Sequence, residues 1–252
     1  MIERTDAGAV AVLSMAHGPV NVMDTALLRA ITETFAALAD EQPAAVVVTG
    51  AGRAFSAGVD LRSLLNGGQD YLRDFLPALS DALHTVFTFD RPVVAAVNGH
   101  AIAGGCVLAC CADLRLMAAG NGRIGIPEIK VGVPFPRVPL EIMVYAVGPK
   151  ATGRLAVRAD TLAPADALAL GLVDEVVDPD ELLDHAVSAA TLLATQIPAD
   201  TFALTKAQLR RETVERIARY RVDEDPQVAE LWARRLDDGW TANYLASVTG
   251  KS

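Results

Sequence analysis

Apolar residues recur along this chain in two alternating patterns. Ala9 to Ser14, Ala44 to Thr49 and Val93 to Val97 are short apolar runs bounded by Gly, Pro or Asn, as in strands covered on both faces. Between them the spacing turns helical. Leu28, Ile31, Phe35 and Leu38 form a stripe behind Asp24, a candidate N-cap, and Gln42-Pro43 ends it. Leu72, Leu76, Leu79, Leu83 and Phe87 predict a second helix from Gln69 to about Phe89, with Pro77 as a kink or restart and Pro92 as the stop. Strand, loop and helix in succession predict parallel strands joined by helical crossovers, built from a repeated ββα-like unit.

Further along, Asp113 to Ala118 and Leu172 to Val177 read as strands, and Lys150 to Leu155 and Pro164 to Leu170 as short helices, the second closed by Gly171. The Pro- and Gly-rich stretch from Gly120 to Pro139 reads as an ordered loop region. Asp180 to Thr195 and everything beyond Pro198 is helical in pattern. The expected organisation is an α/β core over residues 1–195 and a helical region over 196–252 packed on it.

The segment from Val93 to Asp113 organises the rest. Its strand ends at Asn98-Gly99, and Gly104-Gly105 then opens an apolar helix over Cys106 to Ala112. Glycines allow close backbone approach, and a helix start directs unpaired N–H groups outward, which suits a negative oxygen. Tight strand–helix packing calls for such glycines about as often as a ligand does, so a second signal has to decide.

Composition narrows the class. With 252 residues and 52% hydrophobic positions the chain can bury a large core. A net charge of −9 opposes nonspecific binding to nucleic acid or an anionic membrane. No apolar run is long enough for a membrane span, and the opening MIERTDAG lacks the shape of a signal peptide, so the expected location is cytoplasmic. Cys106, Cys110 and Cys111 all lie in one apolar segment with no histidine at ligand spacing, and are read as packing rather than metal or disulfide.

Two local motifs fail. Gly50-Ala51-Gly52 follows a strand, but the third glycine of a dinucleotide fingerprint falls on Phe55. Ser56 in AFSAG approaches a nucleophile elbow with Ala54 in place of the first glycine, yet none of His17, His84, His100 and His185 is placed as its base.

The better reading joins two loops, AFSAGVDL after one strand and AIAGGC after its neighbour, at strand carboxyl ends where α/β folds place ligands. If the N–H groups of Ala57 and Gly104 converge, they form an oxyanion hole. Together with NGHAIAGGC, ADLRL, IPEIKVG and the late ALALGLVDEVV, these loops resemble the crotonase, or enoyl-CoA hydratase/isomerase, superfamily over nearly the whole chain. The resemblance implies a crotonase-like spiral of ββα units and a helical C-terminal region that covers the site and takes part in trimer formation. A homotrimer or dimer of trimers follows from it. It also implies an acyl-CoA substrate whose thioester oxygen is bound by Ala57 and Gly104, lined by Arg53, Phe55, Ser56, Asp60, Leu61 and Val107, with no metal and no cofactor.

Hydratases of that family use two glutamates, one three residues beyond the second oxyanion-hole residue. That position here is Val107; the other is Glu128. Hydration needs water activated and C2 protonated, work for two carboxylates, whereas moving a double bond from C3 to C2 needs one base that takes a C2 proton and returns it at C4. The sequence therefore points to isomerisation of 3-enoyl-CoA to 2-enoyl-CoA with Glu128 as the proton shuttle. The rivals are a hydratase or another CoA-enolate reaction, and a fatty-acyl-CoA binding protein without activity. Asp60, Asp113 and Asn21 are read as holding loops in place. Arg53, Arg62, Lys206, Arg210 and Arg211 are the candidates for the CoA phosphates.

Overall fold

The computed structural model describes residues 1–250. In chain order its strands are β1 (Ile2–Ala7), β2 (Val10–Met15), β3 (Val22–Met23), β4 (Ala45–Gly50), β5 (Ala54–Ser56), β6 (Gly58–Val59), β7 (Val93–Val97), β8 (His100–Ile102), β9 (Leu114–Ala118), β10 (Ile124–Gly125), β11 (Thr161–Leu162) and β12 (Glu175–Val177). Its helices are α1 (Thr25–Glu41), α2 (Leu61–Thr88), α3 (Gly104–Cys110), α4 (Glu128–Val131), α5 (Arg137–Arg158), α6 (Pro164–Leu170), α7 (Leu182–Gln196), α8 (Ala199–Asp237) and α9 (Trp240–Thr249).

A six-stranded sheet runs in the order β1-β2-β4-β7-β9-β12, parallel throughout except for the β1–β2 hairpin. Its central strands β4 and β7 are apolar at every position but Thr49 because both faces are covered. Val46, Val48, Val93, Ala95 and Val97 face a cluster shared with Leu28, Phe35, Leu79 and Cys106 from α1, α2 and α3. Val47, Val94 and Ala96 face the opposite side, closed by Leu182, Ala186 and Ala190 of α7.

A smaller sheet, β11-β10-β8-β5, carries the repeat. In each unit one strand enters the large sheet, the next enters the small sheet, and a helix follows: β4, β5, α2; β7, β8, α3; β9, β10, α4. This is the α/β crotonase fold, with α8 and α9 as its C-terminal helical region. Among the described residues, no helix is long and apolar enough to cross a membrane.

Several sequence expectations are refined. Asp24 caps α1 as expected, its carboxylate accepting from the Leu27 N–H at 2.8 Å. The first strand over Ala9 to Ser14 is β2, and β1 precedes it unforeseen. As an edge strand, β1 exposes most of its polar residues and has no apolar run to read. The helix expected from Gln69 begins at Leu61, and its break lies at Gly68 (φ 59°), not at Pro77. Pro77 is exposed, so the carbonyl it leaves unpaired faces solvent. The short helix expected over Lys150 to Leu155 is part of α5, which starts at Arg137 inside the expected loop region and is interrupted at Gly148.

Candidate active site

The small sheet positions the site. β5, β8 and β10 run parallel side by side, with Ser56 beside Ala101 and Ala101 beside Ile124. Ala57, Gly104 and Glu128 follow the carboxyl ends of these three strands by one, two and three residues. Adjacent strands lie about 4.8 Å apart, so the three residues emerge at one end of one narrow sheet. The expectation placed the loops at the ends of the large-sheet strands. They belong instead to the short strands that follow those.

The loops are held against each other by contacts that only glycine permits. A Cβ on Gly105 would lie 2.6 Å from the Ser56 carbonyl, and one on Gly58 (φ 82°) would lie 2.4 Å from the Ile102 carbonyl. Ala103, between the β8 strand and α3, has φ 52° and ψ −122°, a conformation an alanine holds only under strain. Its N–H donates to the Gly125 carbonyl at 2.8 Å, tying the α3 entry to β10. Gly104 follows as the first residue of α3, where its N–H lies outside the helical ladder. A Cβ there would meet the Met23 sulfur at 2.9 Å and Leu79 Cδ1 at 3.7 Å, so its surroundings are apolar. Neither Met23 nor Leu79 carries a sequence signal for such a place.

The Ala57 N–H is differently placed. It donates to the Val20 carbonyl at 2.9 Å, beside the parallel pair β3–β6. Of the two expected oxyanion donors, Ala57 is thus committed to a backbone acceptor, while no acceptor among the described residues takes the Gly104 N–H.

Glu128 is buried at the start of α4, with 8% exposure, and its Oε2 has no hydrogen-bond partner among the described residues. Burial pushes its pKa up to about 8 from 4.5, opposed only in part by its own backbone N–H. The other buried glutamate, Glu141, is paired with Arg137 and with Arg216, the latter at 2.8 Å. A desolvated carboxylate with an oxygen left unpaired has the properties of a general base.

The remaining candidates divide. The Ser56 hydroxyl donates to the Asn21 carbonyl at 2.7 Å and accepts from the Gly58 N–H, so it fixes the loop and is no nucleophile. Asn21 (φ 50°) holds the same turn, its amide donating to the Ala54 carbonyl at 3.0 Å. Asp60 caps α2, accepting from the Arg62 N–H and the Ser63 hydroxyl. Phe55 and Val107 are fully buried in the main cluster, and half-buried Leu61 packs against it. Phe55 is therefore a core residue whose side chain is not offered to a ligand.

Among the basic candidates, Arg53, Arg62 and Arg211 are exposed. Lys206 and Arg210 are not available for phosphates. Both are buried and bind the Asp113 carboxylate at 2.7 and 2.8 Å, and Arg210 also stacks on Phe87 at 4.3 Å. Asp113 in turn accepts from the Val93 N–H, so this cluster locks α8 onto the large sheet. Burial lowers the Lys206 pKa to about 8 despite Asp113. Among the described residues no group of His, Cys, Asp and Glu is arranged to hold a metal ion.

Residues 5–233 match the sequence profile of the enoyl-CoA hydratase/isomerase family. The chain belongs to the enoyl-CoA hydratase/isomerase family. Similar proteins in this family include the crotonyl-CoA hydratase of Syntrophomonas wolfei, 34% identical over 68% of this chain and 66% of that protein. The human mitochondrial enoyl-CoA delta isomerase 1 is 30% identical over 88% of this chain and 74% of its own length. The crystal structure of human mitochondrial delta3-delta2-enoyl-CoA isomerase superposes with a TM-score of 0.88 at 26% identity, covering 98% of this chain and 96% of that one. The protein is an enzyme of this family, and both hydratases and isomerases are among its relatives.

Proposed function

We propose that this family member isomerises 3-enoyl-CoA to 2-enoyl-CoA. The observation that carries the reading is Glu128, the one buried carboxylate among the described residues with a partnerless oxygen, together with the fully buried Val107 three residues beyond Gly104. A hydratase of the family has a second glutamate at that position. In the proposed reaction Glu128 removes a proton from C2, the thioester oxygen gains negative charge as the enolate forms, and Glu128 returns the proton at C4. The Gly104 N–H stabilises that oxygen from the outset. The Ala57 N–H joins it by exchanging the Val20 carbonyl for the thioester oxygen, a substitution that exchanges one acceptor for a more negative one.

The site's apolar walls suit an acyl chain. Met23 and Leu79 flank Gly104, whereas the cavity of about 590 Å³ between α2 and α8, lined by Leu72, Leu76, Val222 and Val228 among others, is bordered by none of Ala57, Gly104 and Glu128. The chemistry draws on no metal and no redox cofactor.

The test is to supply 3-enoyl-CoA and, separately, 2-enoyl-CoA while following the absorbance of the conjugated thioester. Isomerisation raises the signal with the first substrate and leaves the second unchanged. A fall with the second substrate identifies a hydratase. Binding without turnover of either identifies a carrier.

A further inference from the structure

Ala103 lies between the two backbone donors of the proposed reaction and touches both loops. Its φ of 52° and ψ of −122° fall outside the small left-handed region open to residues with a side chain, where glycine alone moves freely. The chain on either side pins it there. Its N–H donates to the Gly125 carbonyl at 2.8 Å, and its carbonyl accepts from the Val107 N–H at 3.1 Å as the first bond of α3. A trans peptide sets a carbonyl and the following N–H in opposite directions, so the bond from Val107 turns the Gly104 N–H away from α3. The ψ angle of Ala103 thereby sets where the Gly104 donor points.

The methyl reaches the other loop. A Cβ built on Gly58 would lie 3.0 Å from the Ala103 Cβ, so the methyl rests directly against the Gly58 backbone. Gly58 follows Ala57, the other donor, and has its own N–H held by the Ser56 hydroxyl at 3.1 Å. Ser56, Gly58, Gly104 and Gly105 are buried, whereas Ala57 and Ala103 keep partial exposure, so the packed loops reach an open surface at these two alanines. A glycine at 103 would take up the same angles without strain and could make the same two backbone hydrogen bonds. What the alanine adds is a methyl between the loops, at a conformational cost that persists only where the surroundings over-determine it.

We infer that Ala103 is a positioning residue: its methyl, wedged against Gly58, fixes its own ψ and so holds the Gly104 N–H at a set spacing from the Ala57 N–H. This rests on those two N–H groups being the donors to the thioester oxygen in the proposed reaction. Ala103 itself makes no bond to that oxygen. Without the methyl, ψ can vary and the Gly104 N–H swings away from the point on which both donors must converge as the enolate forms.

The test is Ala103→Gly, a change that relieves strain and leaves the protein folded, as thermal unfolding verifies. The probe is hexanoyl-CoA carrying ¹³C at its thioester carbonyl, a saturated ligand whose bound carbonyl band is read by isotope-edited infrared difference spectroscopy without turnover. In the unmodified protein the donors should pull the band to lower wavenumber than in the free ligand. In Ala103→Gly it should return part of the way and broaden. With 3-hexenoyl-CoA, kcat should fall about tenfold or more while KM stays within about twofold, because the change weakens stabilisation of the developing charge and leaves the binding contacts in place. A purely structural role leaves both the band and kcat where they were while the unfolding midpoint rises, and that result overturns the inference. So does a bound carbonyl band in the unmodified protein that matches the free ligand, since no donors would then converge on the oxygen. If the band responds to the substitution but the unmodified protein isomerises no 3-enoyl-CoA, the positioning role stands and the assigned reaction falls.

Discussion

Replacing Glu128 by Gln keeps the size of the side chain and removes the carboxylate on which the proposed proton transfer rests. The structure predicts two opposite consequences. Only the ionised form can accept a proton, and with the pKa held at about 8, about a tenth of the enzyme is ionised at pH 7, so kcat/KM should rise with pH and level above about 8. Glu128→Gln should lower turnover on the order of 10²-fold or more at every pH. Stability should move the other way. The unfolded chain releases this proton near 4.5, whereas the folded chain retains it to about 8, so between those values the folded state binds more protons and stability falls as pH rises. At about 1.4 kcal/mol per pH unit the loss reaches roughly 3 kcal/mol by pH 7 and is complete above about 8. Gln does not titrate, so the variant should match the unmodified enzyme below pH 5 and exceed it by that margin at neutral pH. Denaturant unfolding at several pH values measures the stability, and the rise in conjugated thioester absorbance measures the turnover. A Gln variant within tenfold of full activity, or a stability difference that does not change between pH 5 and 8, would refute the single-base reasoning.

Other substitutions probe the frame of the site. Asp113→Asn leaves Lys206 and Arg210 buried without their carboxylate and should cost about 3–5 kcal/mol in urea unfolding, with the Lys206 pKa falling further. Ala103→Gly relieves an alanine held at positive φ and should stabilise the fold by about 1 kcal/mol, read as a higher midpoint in thermal unfolding.

The sequence determined what depends on local pattern. Valine runs with no polar break require strands covered on both faces, and Asp24 ahead of an apolar stripe requires a capped helix; both hold. The AFSAG and AIAGG loops drew notice for their glycines, which stand where backbone meets backbone, whereas Glu128 was singled out chiefly by the family resemblance, its apolar flanks only agreeing with it. What the tertiary structure decided are relations between distant segments. The strands β5, β8 and β10 are two or three residues long, too short for any periodicity, and exist only because neighbouring units supply their partners. The Val20 acceptor that occupies the Ala57 N–H is 37 residues away in sequence, a distance over which no local pattern reaches. Lys206 and Arg210 look in the sequence like solvated charges on a helix, and only the packing of α8 brings them onto Asp113, 93 and 97 residues earlier. Burial is a property of the assembled chain, so the sequence could name the carboxylate, but only the fold could withdraw its solvent and leave one of its oxygens unpaired, as the proposed proton transfer requires.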